Sequence, residues 1–155
     1  MKKTAQISSI ILMVLFWVNL AWSHCEIPCG IYDDQMRIHM IAEDIKTIEK
    51  SMNEIIKLQA EAPKNYNQIV RWIMNKEEHA NMLQDIVTQY FMTQRIKIDD
   101  VAYTKKLVVL HKMIVYAMKC KQTLDLSHIE SLRNLLKEFS GLYFGHYHHE
   151  KDKKK

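Results

Sequence analysis

The residues best suited to chemistry are crowded into ten positions, His24-Cys25-Glu26-Ile27-Pro28-Cys29-Gly30-Ile31-Tyr32-Asp33. If the chain is cut after Ser23, His24 becomes a free amino terminus. Its amine, the following amide nitrogen and the thiolates of Cys25 and Cys29 then make a flat N2S2 set, with the His24 imidazole over the plane as a fifth ligand. Such tetragonal geometry favours Ni(II) or Cu(II), whereas zinc takes a tetrahedron of side chains. Pro28 stiffens the turn between the thiols, and Gly30 permits positive φ or close backbone approach beside a metal. The competing reading is a local Cys25 to Cys29 disulfide in an oxidising compartment, with Cys120 buried and free as the odd thiol.

The cut is itself legible. Lys2 and Lys3 precede a short uncharged apolar run from Ile10 to Val18, and Ala21-Trp22-Ser23 is a small-x-small cleavage site. Residues 1–23 therefore read as a secretory signal peptide. The run falls short of the roughly 20 residues that span a bilayer, so the expectation is a periplasmic or secreted protein with no membrane attachment after cleavage. Losing the two lysines lowers the formal charge from +4 to +2, and the excess sits in the lysine-rich end. A near-neutral body argues against nucleic-acid binding, which calls for a basic stripe across the fold.

The remaining chain must position the hook, and it reads as helix nearly throughout. Glycine is confined to 30, 141 and 145, and proline to 28 and 63, with no strand-like alternation. Ile38, Ile41, Ile45, Ile48, Met52 and Ile55 form one helical stripe, starting near Asp33 or Asp34 and ended by Ala62-Pro63. Tyr66, Ile69, Ile73, Ala80, Leu83, Val87 and Tyr90 form a second, reaching about Gln94 and interrupted by Lys76. Leu107, Leu110, Ile114 and Ala117 mark a third, capped by Asp99 or Asp100, and Ile129, Leu132, Leu136, Phe139 and Tyr143 a fourth after Ser127. The expected fold is all-α: an up-and-down four-helix bundle over 34–144, with an extended hook over 24–33 and a His- and Lys-rich flexible tail over 145–155.

Several bundle chemistries are excluded. Di-iron and di-manganese sites need Glu-x-x-His on two helices, and no histidine here follows a glutamate by three. Cys-x-x-Cys-His, a glycine-rich phosphate loop and HExxH are also missing. Cys120, His111 and His128 fall on helical segments and read as core or surface residues. His146, His148 and His149 read as part of a solvated end, and most methionines as core filler.

The string His24-Cys25 with Pro28-Cys29-Gly30 and Tyr32-Asp33 resembles the nickel hook of nickel superoxide dismutases. A looser likeness to that family's second helix covers Arg71 to Arg95, including Asn75-Lys76-Glu77-Glu78-His79-Ala80 and Gln89-Tyr90-Phe91. The resemblance implies a four-helix bundle assembled as a homohexamer, with one nickel ion per subunit held by the His24 amine and imidazole, the Cys25 amide and thiolate, and the Cys29 thiolate. It implies dismutation of superoxide to oxygen and hydrogen peroxide by Ni(III)/Ni(II) cycling, with Tyr32 and Tyr90 lining the approach. His39 and His79 stand where some members brace the axial imidazole with a glutamate and an arginine, and Glu26 replaces an aspartate. A leader peptidase is a required partner; in part of the family a dedicated enzyme does this in the cytoplasm. The alternative from another class is a secreted helical nickel- or copper-binding or interaction protein without turnover.

Overall fold

A computed structural model describes residues 28–152, with side chains through residue 145. Its four helices form the expected all-α bundle. Helix α1 spans Asp34–Ala60, α2 spans Tyr66–Asp85 and continues as a π-helical segment over Ile86–Arg95, α3 spans Tyr103–Gln122 and α4 spans Ser127–Asp152. The short links 61–65, 96–102 and 123–126 force antiparallel neighbours. α1 packs mainly on α2 and α3 mainly on α4, while α2 against α3 and α1 against α4 close the ring. Among the described residues, no helix is long and apolar enough to cross a membrane.

α1 begins where its first orphan amides find an acceptor: Asp33 Oδ1 takes the Met36 N–H at 2.9 Å. All six apolar residues of its stripe are buried, each contributing roughly 1.5–3 kcal/mol relative to exposure. Asn65 caps α2 in the same way through the Gln68 N–H. α3 departs from expectation, because its N-cap is Ala102 without a side-chain bond. Asp100 acts one turn earlier, accepting the Ala102 N–H at 2.7 Å and the Lys106 ammonium at 2.6 Å.

The second stripe is corrected at three positions. Tyr66 and Ile73 are exposed, while Lys76 is buried. The lysine stem lies in the core, and its ammonium donates to the carbonyls of Cys120 at 2.7 Å and Lys121, and to Glu77 at 3.0 Å. It thereby satisfies carbonyls that the end of α3 leaves open, where a cation also meets the negative end of the helix dipole. Leu107, Ile114 and Leu136 are only partly buried, and Val109, Met113, Cys120 and Leu135 take the inner positions instead. α4 runs on through Gly145 to Asp152. Once a helix is nucleated, each added residue costs little, and one glycine costs only about 1 kcal/mol.

Candidate functional site

The described chain enters at Pro28, where Pro28, Cys29 and Gly30 make a turn closed by the Ile31 N–H donating to the Pro28 carbonyl at 2.8 Å. Gly30 adopts φ +79°, and a Cβ there would meet nothing within 4 Å. Glycine is thus demanded by the left-handed backbone rather than by crowding. Cys29 carries an exposed free thiol on this turn. His24 and Cys25 lie outside the described residues, as does the leader through Ser23. Among the described residues, no three His, Cys, Asp or Glu side chains gather as a metal site.

Tyr32 and Tyr90 are brought together: their rings meet edge to face, with centroids 5.9 Å apart. What joins them to the bundle is a residue that sequence reasoning treated only as a possible helix start. Asp34 accepts four hydrogen bonds, two on each oxygen. Tyr90 Oη and Arg95 Nε, each at 2.7 Å, donate to Oδ1, while Arg95 Nη2 at 2.6 Å and Tyr143 Oη at 3.0 Å donate to Oδ2. Those four donors fill a carboxylate's lone-pair sites. Burial pushes the Asp34 carboxyl up, but the bonds from Arg95, Tyr90 and Tyr143 outweigh it and hold the group below the usual carboxylate range. Burial, reinforced by Asp34, pushes the Tyr90 phenol well above its ordinary value. The Tyr90 proton is therefore committed to Asp34.

The π segment explains how Tyr90 and Arg95 reach one acceptor. Winding with i→i+5 bonds makes residues five apart neighbours, as α winding does for residues four apart. Thr93 Oγ1 reaches the Thr88 carbonyl, Gln94 Nε2 the Gln89 carbonyl and Ile96 N–H the Phe91 carbonyl, each five residues back. Tyr90 and Arg95 have that same separation. The sequence shows a helix ending near this point but gives no sign of the change in winding.

His79 and His39 receive separate partners. His79 Nδ1 lies 2.8 Å from Asp44 Oδ1, a carboxylate whose side chain is 5% exposed. Burial raises the Asp44 carboxyl, with the His79 bond opposing it only in part. Asp44 Oδ2 is buried with no hydrogen-bond partner. His39 Nε2 takes the Gln35 side-chain amide at 3.1 Å on the exposed face. His79 precedes Tyr90 by roughly 15 Å of helix. Cys120 is fully buried, and burial pushes its thiol up to about 11, which keeps it out of thiolate chemistry.

Comparison with known proteins adds one finding to this geometry. The family model for nickel-containing superoxide dismutase matches residues 19–147, which include the whole hook and nearly the whole bundle. No curated protein and no solved structure matches the chain.

Proposed function

Because this chain belongs to the nickel-containing superoxide dismutase family, it is an oxidoreductase that dismutates superoxide with a nickel cofactor, and we propose that His24, Cys25 and Cys29 hold the ion. The observation that carries the assignment is the Cys29 turn: a free, exposed thiol between a proline and a left-handed glycine. The donor chemistry fits nickel, since thiolates with an amine and a deprotonated amide favour a flat site and a higher metal charge. When bound, the ion would supply a one-electron Ni(III)/Ni(II) couple, through which one superoxide would leave as oxygen and a second, taking up two protons, as hydrogen peroxide.

The protein's own part is to present and shield that site. Three residues after Cys29, the Tyr32 ring meets the Tyr90 ring edge to face, and the Tyr90 hydroxyl donates to Asp34. Tyr32 is accordingly the phenol we assign to orienting the small anion and its product. Histidines 39 and 79 receive the bracing role, acting through the His24 imidazole. His79→Gln protein is expected to keep its full nickel content and to turn over more slowly. Equal turnover in the two proteins would discard the role.

Cleavage after Ser23, export, and assembly as a homohexamer complete the proposal, with 24–33 as hook, 34–144 as bundle and 145–155 as tail. The test is amino-terminal sequencing, nickel analysis and superoxide consumption on the natively produced protein, with its compartment and sedimentation recorded. A chain starting at His24, with one nickel per subunit and rapid superoxide consumption, is the expected result. A native, nickel-bearing chain that retains its leader would overturn the ligand assignment, and one that starts at His24, binds nickel and consumes no superoxide would be a carrier instead.

A further inference from the structure

Arg95 does two things at once. Its fork donates twice to Asp34, and its guanidinium carbon lies 4.2 Å from the centre of the Tyr32 ring. Tyr90, also held by Asp34, meets the same ring edge to face. One carboxylate thus fixes both surfaces against which Tyr32 rests, and Tyr32 follows the Cys29 turn by only three residues. The Arg95 and Asp34 side chains are 16% and 14% exposed, so the pair is largely screened from water and its geometry is stiff.

We propose that Asp34 and Arg95 are positioning residues that clamp Tyr32, and with it the Cys29 turn, onto the end of the bundle before any metal arrives. Holding Tyr32 and the Cys29 turn in place beforehand lowers the ordering cost of taking up the ion. This rests on the reading that the hook binds nickel.

Removing either charge would strand the other in a partly dry site and confound the result with stability. Arg95→Lys avoids this, because it keeps a cation for Asp34 and loses the flat face that stacks on Tyr32. The experiment uses full-length chain trimmed to His24 and labelled with 3-fluorotyrosine, with the Tyr32 fluorine signal assigned from Tyr32→Phe protein. In metal-free Arg95→Lys protein the Tyr32 signal is expected to move to the position of an exposed fluorotyrosine, while the thermal midpoint shifts by no more than a few degrees. Nickel affinity, measured by chelator competition, is expected to weaken roughly three- to thirty-fold, the range of one cation–π contact.

An unmoved Tyr32 signal, or an unchanged nickel affinity, overturns the clamp. Should Arg95→Lys protein fail to fold, Tyr32→Leu decides the matter, because it removes the gripped ring and leaves the Asp34–Arg95 pair intact; unaltered nickel affinity there overturns the clamp as well. If wild-type protein binds no nickel, the ligand assignment fails, whereas the fluorine signal of the metal-free chain still decides for or against the clamp.

Discussion

Cys29→Ser protein, trimmed to His24, is expected to lose nickel from one ion per subunit to a trace and to consume superoxide no faster than metal-free chain, with an unchanged thermal midpoint. The substitution exchanges a soft thiolate for a neutral hydroxyl of nearly the same size. The proposed ligand set would lose one of its two sulfurs and the electron density that would stabilise a higher metal charge. The bundle has no reason to respond. Cys29 is exposed, and the turn is held by the Ile31 N–H on the Pro28 carbonyl and by the Gly30 backbone, so the stability change should stay within about 0.5 kcal/mol. Cys120→Ser supplies the contrast. It places a hydroxyl in a fully buried apolar position at a cost of about 1–3 kcal/mol, and nickel content stays at one per subunit. Full nickel content in Cys29→Ser protein, by metal analysis, would remove Cys29 from the ligand set.

That separation of roles follows from what a sequence can encode locally. The Gly30 turn could be read because its proline, its cysteine and its glycine are neighbours in the chain, and it has the positive φ expected of it. The α1 stripe could be read because each core residue predicts the next at three or four positions. The Asp34 cluster could not. Its donors come from 56, 61 and 109 positions away, and Asp34 beside Asp33 looks like a second candidate cap. The structure gives capping to Asp33 and frees Asp34 for Tyr90, Arg95 and Tyr143. Lys76 failed for a related reason. A lysine on an apolar stripe reads as an interruption until the open carbonyls of another helix are known to lie within its reach.

Phe91→Ala is expected to destabilise the protein by about 3–5 kcal/mol, lowering the thermal midpoint by roughly 10–20 °C for a domain of this size. Phe91 is fully buried and is the common neighbour of three rings, with centroids 5.0 Å from Tyr90, 4.9 Å from Phe139 and 5.5 Å from Tyr143. Its removal leaves a cavity that the π segment and α4 can only partly close. Total stability of such domains is on the order of 5–15 kcal/mol, so the loss takes a large share of it. The damage also reaches the site, because Tyr90 and Tyr143 both donate to Asp34 and lose a packing partner together. Phe91→Leu separates the two effects: it restores most of the apolar volume and costs less, about 1–2 kcal/mol, while the edge-to-face contacts are lost. Calorimetry on the metal-free proteins measures the first effect, and the Tyr90 ring signal measures the second. A midpoint for Phe91→Ala within 3 °C of wild type would show that these rings are not the keystone of the hook end of the bundle.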